Sequence, residues 1–266
     1  KAGYGKETVM MGAGGSIGAD LVAKAAPDGY TVFLANGTTH GATPSLYPKL
    51  PYDSVADFTP VVLISTAPNV LVVGRAVPAQ TLAEFIALAK AQPGKLTLAS
   101  GGNGSISHLS IELLKSMAGI NVLHVPYKGA APALTDIASG QVSGMIINIP
   151  SALPLLQAGK LKALAVSSLK PAAALPNVPT IDKAGVPGYQ TLAWFGFMVP
   201  AGTPPEVVRT LHQKTAEALA QAEVKETLAK LGADASGLGP AEFAAHVKSE
   251  MAKYAKIVRE AGVKLD

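Results

Sequence analysis

Short apolar runs alternate with amphipathic segments along the first two thirds of the chain. The apolar runs predict strands at residues 31–35, 69–73, 96–100, 121–125, 142–149, 161–167 and 191–199. The amphipathic segments predict helices at residues 17–26, 81–92, 105–118, 130–139 and 152–158. Strands that alternate with helices in this way are typical of an α/β fold with mainly parallel strand pairing.

The pattern changes after the strand at 161–167. Four prolines between residues 170 and 188 predict loops and turns, and residues 201–266 are predicted to be helical only. Apolar side chains recur at helical spacing in the last segment, at Phe243, Val247, Met251, Tyr254 and Val258. This spacing gives the last helix one apolar face, which we expect to pack in the core.

Composition removes several classes of protein. The chain has 266 residues and no cysteine, which excludes disulfides, thiolate nucleophiles and cysteine-ligated metal centres. The net charge is +4, but the lysines are spread out without a basic run, so we expect no nucleic-acid partner. No apolar stretch approaches the ~20 residues that a membrane-spanning helix needs. The histidines lack the spacing of zinc sites.

The first glycine-rich segment, residues 12–18 (GAGGSIG), allows two enzymatic interpretations. Its G-x-S-x-G pattern matches the elbow of α/β serine hydrolases, with Ser16 as nucleophile, but only 15 residues precede that serine. The other alternative is the dinucleotide-binding loop of an NAD(P)-dependent oxidoreductase. There, Ile17 occupies the last glycine position, and Asn36 replaces the acidic residue that would hold the ribose. Both alternatives are therefore disfavoured.

The second glycine-rich segment, residues 100–108 (SGGNGSISH), predicts an anion site. It follows an apolar strand and opens an amphipathic helix. The first N–H groups of a helix have no partner inside the helix and can bind an anion. An ordinary strand-to-helix turn with a serine cap is the alternative interpretation. No acid–base pair or activated nucleophile can be assembled from the sequence, so we do not expect an enzyme.

Several motifs occur in the same order as in one family of binding proteins. They are residues 12–20 (GAGGSIGAD), 23–30 (AKAAPDGY), 46–53 (LYPKLPYD), 57–58 (DF), 100–108, 124–129 (HVPYKG), 132–136 (PALTD), 159–165 (GKLKALA) and 200–204 (PAGTP). On these motifs the chain resembles the Bug (TctC-like) family of periplasmic solute-binding proteins, the receptors of tripartite tricarboxylate transporters. The resemblance implies a two-lobed α/β periplasmic-binding-protein fold (type II) with two hinge crossovers.

The resemblance also implies where the lobes begin and end. Residues 1–66 and 190–266 would form lobe 1, and residues 67–189 would form lobe 2. The chain would cross between the lobes near residues 65–68 and 190–195. Similar proteins have a strand and a glycine-rich loop before the position of Gly12, so we expect that this N-terminal strand and loop are missing from the sequence.

A ligand site between the lobes follows from the same resemblance. Lobe 1 would contribute the loop after its strand at 31–35, and lobe 2 would contribute the turn at 100–108. Residues at the two crossovers would line the sides of the pocket. The expected ligand-binding residues are Asn36, Thr38, Thr39, Asn69, Gly102, Asn103, Gly104, Ser105, His108, Asn148, Trp194 and Phe195.

The three arginines fall outside these motifs, at Arg75, Arg209 and Arg259. We therefore expect that backbone N–H groups, hydroxyls and bridging waters capture the ligand's carboxylate, without an arginine fork. The implied protein is a periplasmic monomer without cofactor, metal or enzymatic activity. Its implied partners are a small organic carboxylate and the membrane subunits of a tripartite tricarboxylate transporter, or a sensor kinase to which it presents the ligand.

Overall fold

A computed structural model of the protein describes residues 15–47 and 49–263. The α-helices in this part of the chain are α1 (Ser16–Ala23), α2 (Thr43–Leu46), α3 (Leu82–Ala91), α4 (Ile106–Ala118), α5 (Ala130–Ser139), α6 (Ile149–Gln157), α7 (Pro205–Ala220), α8 (Ala222–Lys230) and α9 (Pro240–Ala261). A π-helix (Gly37–Ala42) precedes α2. The strands are β1 (Phe33–Asn36), β2 (Phe58–Gly74), β3 (Thr97–Ser100), β4 (Leu123–Pro126), β5 (Gly144–Asn148), β6 (Leu161–Val166), β7 (Leu192–Pro200) and β8 (Asp234–Leu238).

Two sheets share the long strand β2. In the first sheet, with strand order β1-β7-β2-β8, β2 pairs with β7 from Phe58 opposite Pro200 to Pro68 opposite Leu192. In the second sheet, with order β4-β3-β5-β2-β6, residues 69–74 of β2 pair with β5 and β6. Each sheet forms the base of one lobe, so the predicted two-lobed α/β fold is confirmed.

The direction of strand pairing differs from the prediction. Among the described strands, only the pairs β3–β4 and β3–β5 are parallel. The expectation of mainly parallel pairing is wrong because β2 runs antiparallel to all four of its neighbours, β5, β6, β7 and β8. Strand β7 also runs antiparallel to β1. The alternation of strands and helices along the sequence does not indicate whether two paired strands run parallel or antiparallel.

Two strand segments were not predicted from the hydrophobic pattern. Residues 201–266 are not helical only, because β8 pairs with β2 as a short strand of exposed and half-buried residues. Its sequence, DASGL, has too few apolar residues to be recognised as a strand from the hydrophobic pattern. The first part of β2 contains Pro60 and Pro68, which argue against a strand in a sheet interior. The structure accommodates Pro60 beside an irregularity in the β2–β7 register.

An apolar cluster joins the two lobes. Leu109 of α4 packs there with Leu46 of α2 and with Tyr254 and Ile257 of α9, and none of the four is more than 8% exposed. Helix α4 follows β3 of the second sheet, whereas Phe243 and Val247 of α9 pack in the apolar cluster of the first sheet. The start of α4 is therefore held against the opposite lobe. The predicted apolar face of the last helix is confirmed, since α9 also buries Phe243.

Buried hydroxyl groups tie the two crossovers together. The N–H of Asn69 donates to the Ser167 hydroxyl oxygen at 2.8 Å, and that hydroxyl donates to the Thr191 carbonyl. The Thr191 hydroxyl in turn accepts from Ser110 of α4 at 3.0 Å. Because Ser167 and Thr191 are fully buried, water cannot replace these bonds. One serine side chain thus connects β2 to the segment that precedes β7.

Candidate functional site

A cavity of about 260 Å³ lies between the lobes, and none of the described residues that line it carries a charged side chain. The first lobe contributes the end of β1, the start of the π-helix and part of β7. The second lobe contributes the start of α4 and the end of β5. The lining residues are Asn36, Gly37, Thr38, Asn69, Gly101, Ser105, Ile106, Ser107, Ala130, Met145, Ile147, Asn148, Ala193, Trp194 and Phe195.

The cavity brings together seven of the residues expected from the sequence. They are Asn36, Thr38, Asn69, Ser105, Asn148, Trp194 and Phe195. The expected residues that do not line it are Thr39, Gly102, Asn103, Gly104 and His108. Sequence reasoning missed the apolar wall formed by Met145 and Ile147. Strand alternation could have found this wall, because residues two apart on β5 point to the same face.

A larger cavity of about 560 Å³ lies on the first lobe, but its chemistry does not suit an anion. Asp53 and Asp57 line it, and the Asp53 carboxylate accepts backbone N–H bonds from Val55 and Ala56. These bonds lower the pKa of Asp53, which keeps it ionised at neutral pH. None of the expected ligand-binding residues lines this cavity. The cavity between the lobes is therefore the candidate site.

The start of α4 presents backbone donors to the cavity. Ser105 caps the helix, because its hydroxyl oxygen accepts from the N–H of His108 at 3.3 Å. The same hydroxyl donates to the Gly102 carbonyl at 2.7 Å, and the Ser107 hydroxyl donates to the Ile146 carbonyl. Both hydroxyl protons are thus used inside the protein. The donors left for a ligand at this turn are the first-turn backbone N–H groups.

His108 supports this turn from behind. Gly102 and Gly104 have φ angles of +136° and +73°, which only glycine adopts without strain. The N–H of Gly104 donates to Nδ1 of His108 at 3.1 Å, and His108 as a whole is only 7% exposed. This bond holds the glycine turn in place. His108 is therefore positioned to orient the turn, although it does not line the cavity.

His108 and His124 form a stacked pair under the turn. Their rings are 3.8 Å apart and nearly parallel, and Nε2 of His124 is 2.6 Å from the Ser100 hydroxyl oxygen. Burial, followed by the nearby His108 and Lys115, lowers the pKa of His124 to about 4. Burial also lowers the pKa of His108, against the opposing effect of Glu112. Both rings are neutral at neutral pH, so attraction of an anion must come from the helix terminus.

On the first lobe, Asn36 organises the start of the π-helix. Its side-chain oxygen accepts from the N–H groups of Thr38 and Thr39 at 2.9 and 3.1 Å. Thr39 returns the interaction through its own hydroxyl oxygen, which accepts from the N–H of Asn36. Gly37 lies close to its neighbour Trp194 on β7 and to Ile106 of α4, because a Cβ atom there would lie 3.3 Å from Nε1 of Trp194 and 3.2 Å from Cδ1 of Ile106. Glycine therefore gives the cavity its width at this point.

The crossover side of the cavity carries two amides and an indole. Asn69 of β2 lies directly opposite Asn148 of β5. The Asn148 side-chain oxygen caps α6 by accepting from the N–H of Ser151 at 3.0 Å. Within the described residues, Nδ2 of Asn69 and Nε1 of Trp194 are buried and have no hydrogen-bond partner. These two N–H donors are therefore unpaired within the part of the chain that the structure describes.

The described residues carry neither a metal-binding cluster nor a membrane-spanning helix. No group of three or more His, Asp or Glu side chains in residues 15–47 and 49–263 could hold a metal ion. No helix in the same residues is both long and apolar enough to cross a membrane. Ser16 begins α1 and does not line the cavity between the lobes. The glycines at 12–14 of its motif lie outside the described residues.

Comparison with known proteins gives consistent matches along the chain. Residues 8–263 match the family described as "Tripartite tricarboxylate transporter family receptor". BugT of Bordetella pertussis is 36% identical over 255 residues, which cover 96% of this chain and 78% of that protein.

Solved structures agree with this match. An R. palustris protein solved with adipate superposes with a TM-score of 0.88 and 39% identity, over 94% of this chain and 84% of that one. MatC from Rhodopseudomonas palustris, solved with malate, gives a TM-score of 0.84 and 37% identity, over 94% and 86% of the two chains. Neither the serine hydrolase nor the oxidoreductase alternative is supported by these matches.

Proposed function

The chain belongs to the tripartite tricarboxylate transporter receptor family, and on this premise we propose that it captures a small organic carboxylate between its lobes. The family match bears out the resemblance to Bug proteins that the motifs predicted. Two relatives of similar fold were solved with adipate and malate, which supports an organic acid as the ligand.

The observation that carries the proposal is the uncharged cavity at the start of α4. A helix N-terminus combines free N–H donors with a partial positive charge, and both favour a carboxylate. Among the described residues, no acidic side chain lines the cavity to repel that carboxylate. The ligand would therefore place one carboxylate against the first-turn N–H groups of Ile106 and Ser107.

We propose that the lobes comprise residues 1–66 with 190–266, and residues 67–189, and that they close on the ligand by hinge motion. Strand β2 supports this division, because its partners change from β7 to β5 and β6 between Pro68 and Asn69. Thr39, Gly102, Asn103, Gly104 and His108 would act by shaping the two turns. The seven cavity-lining residues would contact the ligand or its bridging waters.

A receptor role without catalysis agrees with the chemistry of the cavity. The hydroxyls of Ser105 and Ser107 donate to backbone carbonyls, and no described histidine or carboxylate lines the cavity to activate them as nucleophiles. We propose that the protein works as a monomer in the periplasm. It would deliver its ligand to the membrane subunits of the transporter, or present it to a sensor kinase.

Substitutions at Ser105 test the carboxylate site without removing the helix cap. Aspartate and asparagine cap helices as well as serine does, so Ser105→Asp and Ser105→Asn should both fold. The carboxylate of Ser105→Asp repels a bound carboxylate and competes for its donors, which should weaken adipate or malate binding by at least about tenfold, or ~1.4 kcal/mol. Isothermal titration calorimetry measures this effect.

A matched control is available at α3. Thr81 caps that helix through its hydroxyl oxygen, which accepts from the N–H of Glu84, and it lies outside the cavity. Thr81→Asp should therefore leave the affinity for the acids unchanged. Ser105→Asn should lose less affinity than Ser105→Asp. Normal binding of the acids by Ser105→Asp would show that the start of α4 is not the carboxylate site.

A further inference from the structure

Two buried donors in the cavity have no acceptor among residues 15–47 and 49–263. We propose that Nδ2 of Asn69 and Nε1 of Trp194 form a second polar subsite, which selects ligands carrying an oxygen acceptor away from the carboxylate at α4. This inference rests on the proposed function, since it assumes that one carboxylate occupies the start of α4.

Burial is the first observation that supports this subsite. Asn69 is 4% exposed and Trp194 is fully buried, and neither donor nitrogen has a hydrogen-bond partner among the described residues. Buried donors in native proteins are nearly always paired, because an unpaired donor loses its bonds to water without replacement. Both side chains line the cavity, so an acceptor that enters the cavity can supply the missing bonds.

The position of the donors is the second observation. Trp194 lies on β7 opposite Thr66 of β2, and Asn69 lies three residues further along β2. The two donors thus come from the two strands at which the chain passes between the lobes. The Ser167 bond fixes the backbone of Asn69, and Phe243 packs against the Trp194 ring at 5.7 Å. Both donors are therefore held in place before a ligand arrives.

The cavity offers donors but no anionic acceptor. The side-chain oxygens of Asn36 and Asn148 already accept backbone N–H groups. The part of the chain that the structure describes places no aspartate or glutamate in the cavity lining that could pair with an ammonium group. A ligand with a second carboxylate, carbonyl or hydroxyl oxygen satisfies the subsite, whereas a ligand with a methyl or ammonium group leaves both donors unpaired.

Three six-carbon acids test this selectivity, because they differ only at the end opposite a shared carboxylate. Adipate ends in a carboxylate, hexanoate in a methyl group and 6-aminohexanoate in an ammonium group. In calorimetric titrations of the wild-type chain, adipate should bind at least about tenfold more tightly than the other two acids. Equal affinity for adipate and hexanoate would overturn the subsite but leave carboxylate capture intact. Failure of all three acids to bind would contradict both proposals.

Substitutions assign the selectivity to the two residues. Asn69→Leu and Trp194→Phe each remove one donor. The affinity for adipate should therefore fall by about tenfold, while the affinity for hexanoate stays within about twofold of wild type. Hexanoate is thus an internal control for folding. An equal loss of affinity for both acids, or an unchanged ratio of the two affinities, would show that these residues do not recognise the second carboxylate of adipate.

A spectroscopic measurement on the wild-type chain avoids any loss of folding. Trp194 is the one tryptophan of the sequence, so its indole N–H gives a unique signal in a ¹H–¹⁵N correlation spectrum. A new hydrogen bond should move this proton downfield when adipate is added, and hexanoate should not reproduce the shift. An indole signal that responds identically to both acids would overturn the role of Trp194.

Discussion

A single methyl group at Gly37 would test whether ligand binding brings the lobes together. A Cβ atom on Gly37 would lie 3.2 Å from Cδ1 and 3.3 Å from Cγ1 of Ile106, which belongs to the opposite lobe. Carbon atoms pack best at about 3.5–4.0 Å, so the methyl group overlaps Ile106 by a few tenths of an ångström. Gly37 is not among the glycines with positive φ, so alanine adds no backbone strain.

The expected loss of affinity follows from this overlap. Overpacking costs about 1–3 kcal/mol, and contact with the flexible end of Ile106 sets the value near ~1 kcal/mol. The part of this cost that comes from Ile106 arises where the two lobes meet, whereas the contact with Nε1 of Trp194, at 3.3 Å, lies within the first lobe. At ~1.4 kcal/mol per tenfold, the Ile106 contact should make Gly37→Ala bind adipate about fivefold more weakly.

A double-mutant cycle by calorimetry identifies the contact. Ile106→Val removes Cδ1, the atom nearest to the added methyl group. Gly37→Ala combined with Ile106→Val should therefore recover most of the affinity, and Ile106→Val alone should bind adipate nearly as well as wild type. Wild-type affinity for Gly37→Ala, or the same loss in both Ile106 backgrounds, would refute closure through this contact.

Three further predictions concern buried polar groups. Burial lowers the pKa of His40 to about 3, from its ordinary value of 6.5. Between these two pH values His40 is protonated in the unfolded chain but neutral in the folded chain. Stability should fall by up to ~5 kcal/mol between pH 6.5 and 3, and His40→Phe should flatten this slope in urea unfolding; an unchanged slope contradicts the assignment. His108→Leu should destabilise the chain by about 1–3 kcal/mol and weaken adipate binding, because it leaves the N–H of Gly104 unpaired. His108→Asn supplies an acceptor for this N–H again, so it should restore much of the stability and of the adipate affinity. Ser167→Ala should cost about 1–3 kcal/mol in denaturant unfolding by removing the acceptor of the Asn69 N–H, and a cost near zero would show that this N–H finds another partner.

The hydrophobic pattern predicted the elements that surround the site with good accuracy. The helix predicted at 105–118 is α4, with Ser105 as its cap, and the helix predicted at 130–139 coincides with α5. Both have a helical apolar period and clear ends, with glycine following each of them. Local information was sufficient there because the ends of these helices are determined by nearby residues.

Features that depend on distant parts of the chain could not be predicted in this way. His108 follows a glycine-rich turn, which suggested a ligand contact, but its stacking on His124 places it behind the turn. The missing partners of Asn69 and Trp194 depend on the return of β7 beside β2. Neither feature leaves a trace in residue spacing, since each is created by the packing of segments far apart in sequence.

The sharing of β2 between the sheets has a consequence for the order in which the chain can fold. All strands of the second sheet precede β7 in the sequence, so the second lobe can fold while β1 and the first part of β2 still lack their common neighbour. Pairing of Phe58 with Pro200 closes a very long loop, which makes this step slow. The ligand cavity is completed only then, because Trp194 is delivered by β7. Chains in which this strand has not yet docked would expose the edges of an unfinished first sheet to aggregation.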